Sequence, residues 1–110
     1  MGQAVLRVEG LPEAPLDAAA QFHACYLPQA RSALEGADAL ALVFAAAGKP
    51  HYGWRLSAVQ ELAREAAPAR VNAVAGDDHA AVCETLDWLA SAPGITGQLL
   101  QVDGNRPRNG

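Results

Sequence analysis

Two hydrophobic periods alternate along the chain, one of about two residues and one of about three and a half. In "AVLRVEG", residues 4–10, Ala4, Leu6 and Val8 fall on one side and Arg7 and Glu9 on the other. That alternation predicts a half-buried strand at the edge of a sheet. "LPEAP" then interrupts the chain with Pro12 and Pro15. A helical stripe follows through Leu16, Ala20, His23, Leu27, Ala30 and Leu34, with Phe22 and Tyr26 on its shoulder. Asp17 is placed to act as a cap or a first-turn acid. Pro28 predicts a kink or restart inside this helix, and Gly36 its end.

The next segment, "ALALVFAAA" at residues 39–47, is apolar at every position, which predicts a strand covered on both faces. "GKPHYG" reads as a turn. A second helix is expected over residues 54–67, with Leu56, Val59, Leu62 and Ala66 inward and Pro68 closing it. "RVNAVA", residues 70–75, reads as a third strand. Asp78 is positioned to cap a third helix running to about residue 91, with Val82, Leu86 and Leu89 inward. "APGITG" reads as loop and "QLLQVDG", residues 98–104, as the last strand.

This β-α-β-α-β-α-β order predicts an α/β domain of about four parallel strands joined by three crossover helices. One domain over residues 1–105 and a mobile tail over 106–110 are expected. Hydrophobic residues make up 51% of the chain, but many are alanines, so the core is small and built for close helix–sheet packing. A net charge of −4, with no basic cluster before "RPR", argues against a nucleic-acid surface. No apolar run is long enough to span a bilayer, and "MGQAVLRVEG" lacks the pattern of a signal peptide. A cytoplasmic protein with Cys25 and Cys83 as free thiols is the expectation.

Three segments occur in the order of a known family: "LPQARSALEGADALALVF", then "RVNAVA", then "LDWLASAPGITGQLLQVDGN". Over residues 16–105 the chain resembles the short-chain dehydrogenase/reductase (SDR) superfamily. It looks like a truncated, degenerate member that keeps the C-terminal half of a Rossmann-like domain. The resemblance implies that half-domain fold, and it sets out what chemistry to look for. The family cradles a dinucleotide on a glycine-rich turn, where backbone N–H groups meet the pyrophosphate. Here Gly10 stands alone and two prolines follow, and the family's Asn-Asn-Ala-Gly segment is absent. The family's catalytic set is a Ser at a strand end, a Tyr and Lys four residues apart, and an Asn on the interface helix. This chain has Ala45, Ala46 and Ala47 at the strand end, and Leu56 four residues after Tyr52. Gly48 or Lys49 falls near the Tyr position, Tyr52 near the Lys position, and no Asn precedes Asn72. No catalytic residue, no cofactor site and no enzymatic activity are therefore expected.

Other polar constellations have plainer readings beside the chemical one. Lys49, His51, Tyr52 and Arg55 cluster at the carboxyl end of a parallel strand, where a small anion could bind or where a solvated turn could simply reverse the chain. His79 and Cys83 are one helical turn apart beside Asp77 and Asp78, yet no third ligand is nominated and no metal is assigned. Cys83 reads better as a small buried residue, and His23 as a satisfied core or interface histidine. Asn72 is expected to tie its strand to a loop.

Successive crossovers of one hand would put all three helices on one face of the sheet. At about 25 cal/mol per Å2, leaving several hundred Å2 of the central ribbon bare would cost on the order of 10 kcal/mol. Either the third helix or a second copy of the chain must then cover the other face. Phe22, Tyr26, Trp54 and Trp88 are the aromatic residues expected at or near such contacts. A homodimer or homotetramer with a structural or regulatory role is the leading expectation, with a full-length family member as a further partner. The alternatives are a small-ligand-binding module or minimal enzyme using residues 49–55, and an oxidoreductase subunit completed by a full-length partner.

Overall fold

The computed structural model describes residues 2–102. Its elements run β1 (Gln3–Val8), α1 (Pro15–Gln21), α2 (Leu27–Leu34), β2 (Ala39–Phe44), α3 (Tyr52–Ala66), β3 (Arg70–Ala75), α4 (His79–Ala90) and β4 (Leu99–Gln101). The four strands form one sheet in the order β1-β2-β3-β4, and every neighbouring pair is parallel. This is the predicted α/β half-domain. Asp103 and Gly104 of the expected last strand, and the expected tail, lie outside the described residues.

The first helical segment is broken, as Pro28 requires, but the break is a π turn over Phe22–Tyr26 that joins α1 to α2. The Leu27 N–H donates to the Phe22 carbonyl, five residues back. Pro28 has no N–H and its ring would press on the carbonyl four residues earlier; a wider turn relieves both problems. The extra residue also shifts the buried face. Ala18, Phe22 and Ala30 face the sheet, whereas Leu16, expected inward, is 86% exposed. His23 also turns outward and shares a hydrogen bond with the Ala19 carbonyl at 2.7 Å, so it is not the core histidine the stripe suggested.

β2 is buried at all six positions, and its side chains alternate between two cores. Leu40, Leu42 and Phe44 pack with the π turn, α2 and α3; Ala41 and Val43 pack with Val82, Leu86 and Leu89 of α4. Helix α4 thus lies on the face opposite α2 and α3. Because the strands step across the sheet in a single direction, the β3–β4 connection has the opposite hand to the other two. One chain therefore covers its own central ribbon, and a partner is not needed for that. The ribbon is shorter than expected: β2 ends at Phe44, and Ala45, Ala46 and Ala47 are exposed. Neither β1 nor β3 extends past the Val8–Phe44 and Phe44–Ala75 pairs, and an exposed methyl group costs little.

The turn into α4 is tightly specified. The Gly76 N–H donates to the Phe44 carbonyl at 3.1 Å, and Asp77 Oδ1 accepts from the Ala46 N–H at 2.9 Å. Asp78 caps α4 as predicted, its carboxylate accepting from the Ala81 N–H at 3.1 Å. At the other end, Arg70 Nη1 donates to the carbonyls of Leu89 and Ala92 at 3.0 and 3.1 Å, which satisfies the end of the helix. Asn72, 2% exposed, ties strand to loop as expected: its Nδ2 donates to the Ile95 carbonyl and its Oδ1 accepts from the Gln98 N–H. Thr96 Oγ1 accepts from the Val71 N–H, and Gly97, at φ +75°, donates to the Val71 carbonyl.

Across the outer layer, Arg31 of α2 and Glu65 of α3 form a two-bond ion pair at 2.8 and 2.9 Å. Arg31 holds the Glu65 carboxyl below its ordinary range, through its hydrogen bonds first and its charge second. A carboxyl with a depressed folded-state pKa stabilises above its unfolded pKa and stops doing so as pH falls through the folded value.

Two substitutions and one titration test this fold. Asn72→Ala strands the Ile95 carbonyl and the Gln98 N–H in the interior and is expected to lower unfolding free energy by about 1–3 kcal/mol in urea titration. Gly76→Ala places a Cβ 2.6 Å from the Val102 carbonyl oxygen and 2.8 Å from its Cγ2, and is expected to cost about 1–3 kcal/mol by the same measurement. Glu65→Gln should lower the melting temperature slightly at neutral pH and leave it little changed below the carboxylate range, which flattens the acid-side fall.

Candidate functional site

The carboxyl ends of the four parallel strands form the rim where ligands bind in open α/β sheets. Four segments meet there: the link after β1, the three alanines after β2, the start of α3, and the end of β4. Lys49–His51 form a short 3-10 turn, which runs straight into α3. Helix α3 begins two residues before the expected start, with Tyr52 and Gly53 in its first turn.

That helical register separates the four residues of the predicted ligand loop. Lys49 and Tyr52 are exposed. His51 is partly buried and doubly engaged: its Nδ1 accepts from Trp54 Nε1–H at 3.1 Å, and its Nε2 lies 2.9 Å from the Glu13 carbonyl. Indole nitrogen only donates, so His51 is neutral there with its proton on Nε2, which donates to Glu13. It fastens the β1–α1 link to α3. Arg55 is 7% exposed. Its guanidinium carbon lies 4.5 Å above the centre of the Phe44 ring and 5.9 Å from that of Trp54, and Nη1 donates to the Ala45 carbonyl at 2.9 Å. Nε is buried with no partner. Burial lowers the Arg55 pKa below its ordinary value without threatening its charge. Nothing in the sequence marked Arg55 as buried. It sits three residues after the exposed Tyr52, in a helix whose expected inward stripe ran through Leu56 and Val59.

Two cavities flank this arginine. One, of about 220 Å3, lies toward β1 and is lined by Glu9, Gly10, Glu13 and the three alanines among others. The other, of about 280 Å3, lies toward β4 and is lined by Ala46, Ala47, Gly48, Tyr52, Gln101 and Val102 among others. The family's dinucleotide would set phosphates on backbone N–H groups beyond a strand end, and the β1 side does not fit that group. The Glu9 N–H donates to Tyr26 Oη, and Tyr26 Oη donates to the Glu9 carbonyl at 2.6 Å. Pro12 and Pro15 have no N–H, and Glu9 and Glu13 bring negative charge to the cavity wall. On the β2 side, alanine methyls stand where the family has its serine, and Leu56 is one turn along from Tyr52.

The predicted contact aromatics divide in the same way. Phe22 is 1% exposed and packs on Phe44 and Trp54 inside the chain's own core, so it offers no surface to a partner. Tyr26 is engaged by Glu9, and Trp54 is half-buried between Phe44 and His51. Trp88 is 54% exposed on the outside of α4. Cys83 Sγ lies 3.4 Å from His79 Nε2, and both cysteines are free thiols. Among the described residues, no three His, Cys, Asp or Glu side chains are grouped to hold a metal ion, and no helix is long and apolar enough to cross a membrane.

A search of curated proteins and a search of solved structures each return no match to the chain. A family model described as short chain dehydrogenase-like protein matches residues 6–102, nearly the whole described chain and all of the sheet apart from the first residues of β1. Up to Val102, the segments that carry the resemblance in the sequence lie within the residues this family model matches. The chain belongs to the SDR-like family.

Proposed function

We propose that this chain is a non-catalytic SDR-like domain that acts by association, as a structural or regulatory subunit. The observation that carries the first half of this reading is the strand end after β2. Ala45, Ala46 and Ala47 bring no hydroxyl to polarise a carbonyl, and the residue four after Tyr52 is Leu56 in place of the family's lysine. Arg55, three residues after Tyr52, is engaged with Phe44 and the Ala45 carbonyl.

Association is supported by surface that the single chain leaves uncovered. β1 is an edge strand with one side unpaired, and on the α4 face of the sheet it presents Val5, 45% exposed. An unprotected edge of this kind invites pairing. Trp88 is the largest exposed apolar side chain on α4, and large aromatic side chains carry a disproportionate share of interface energy. A groove between the helices of the other layer, with half-buried Leu27 and Trp54 in its wall, is bordered by the Arg31–Glu65 pair. A homodimer or homotetramer fits these surfaces, as does a full-length SDR partner.

Two measurements test the reading. Adding NADH or NADPH is expected to leave the melting temperature unchanged; an upward shift that saturates would show cofactor binding and contradict the non-catalytic assignment. Sedimentation equilibrium at micromolar concentration is expected to give a dimer or tetramer, and Trp88→Ser to weaken it by at least about tenfold. A wild-type monomer at that concentration would refute self-association.

A further inference from the structure

A buried arginine without a carboxylate partner is costly, because burial removes hydration that only another charge or several hydrogen bonds can replace. Arg55 is in that position. Among the described residues its only hydrogen-bond partner is the Ala45 carbonyl, taken by Nη1, while the rings of Phe44 and Trp54 supply weaker attraction. Both ion pairs among the described residues, Arg31–Glu65 and Arg64–Glu61, lie elsewhere. Nε–H and Nη2–H, which together form one edge of the planar guanidinium, are thus left without a protein partner. That edge is the one that takes two oxygens of a single carboxylate or phosphate group.

We propose that the cavity of about 280 Å3 beyond the ends of β2, β3 and β4 binds a small oxyanion, a carboxylate or phosphate group held by the Arg55 guanidinium in its wall. The two cavities beside Arg55 differ in charge, and this selects the side. Glu9 and Glu13 line the β1 side and repel an anion. No acid lines the β4 side. The nearest carboxylate along the chain there, Asp77, is occupied with the Ala46 N–H. Three further features suit an anion. The cavity opens at the start of the 15-residue helix α3, the positive end of its dipole. Tyr52 and Gln101 supply polar groups at the wall, and Ala46, Ala47 and Val102 leave room for a short apolar body. Buried within a protein, a charge-assisted pair of this kind is stronger than in water, so the anion also relieves the cost of burying Arg55. This goes beyond the association reading and does not depend on it: the site needs no nicotinamide and no second chain.

The full chain is titrated with potassium phosphate and, separately, with potassium acetate, against potassium chloride at matched ionic strength. The Arg55 Nε–H resonance and the Gly48 and Gly76 amides are followed by NMR. Saturable shifts with at least one oxyanion and only weak linear drift with chloride are expected, and the anion that saturates identifies the group accepted. Arg55→Gln should abolish saturation. Since that substitution also removes the cation–ring contact in the core, Ala47→Glu provides a second arm: Ala47 is exposed, so the fold should tolerate a carboxylate at the cavity wall, and affinity should drop at least about tenfold. Drift alike in all three salts, or wild-type affinity in Ala47→Glu, would overturn the site.

Discussion

Everything in this structure depends on covering both faces of one strand. β2 is a six-residue ribbon with no polar side chain, and every residue of it is buried. A sheet joined by crossovers of a single hand would cover only one of its faces. The chain meets the constraint by sending α4 across to the other face, at the end of a three-residue link in which Gly76, Asp77 and Asp78 each have a defined partner or cap. Gly76 is needed because the Val102 backbone passes where any Cβ would stand. The return to β4 is fixed by Thr96, Gly97 and Asn72, which hook the loop onto β3.

The same constraint shapes the rim where chemistry would be expected. Phe44 is the last residue of the ribbon, and its ring forms the floor for Arg55 while meeting Trp54 edge-on. Trp54 in turn sets His51, and His51 holds the β1–α1 link through Glu13. Three of the most polar-looking residues of the rim are thus engaged in packing and bracing. What remains accessible beyond β2 is alanine methyl, backbone, Lys49 and Tyr52, with the Arg55 guanidinium in the cavity wall. That is the surface on which the proposed anion would sit.

Much of the fold was legible in the sequence because its signals were redundant. The all-apolar "ALALVF", the Asp78 cap, the strand "RVNAVA" and the role of Asn72 each follow from local physics, and the structure places them accordingly. The parts that misled share one cause: a long-range choice that local pattern does not encode. A π turn ahead of Pro28 rotates the first helix, turning Leu16 and His23 out and Phe22 in. The run of apolar residues continued to Ala47, but pairing stopped at Phe44, and alanine is too small to announce which side of that boundary it occupies. The face chosen by α4 was left open between helix and partner, since its inward residues Val82, Leu86 and Leu89 would suit either. At the rim, the sequence groups Lys49, His51, Tyr52 and Arg55, but only coordinates separate exposed Lys49 and Tyr52 from bracing His51 and buried Arg55.

The central claim is that a single chain buries its own ribbon on both faces, so association is built on top of a complete fold. Isotope-filtered NOE spectroscopy on a mixture of labelled and unlabelled chains tests this most directly. Contacts from the Leu86 and Leu89 methyls to Ala41 and Val43 are predicted within one chain and not between chains. Finding them only between labelled and unlabelled copies, or not at all, would contradict the account.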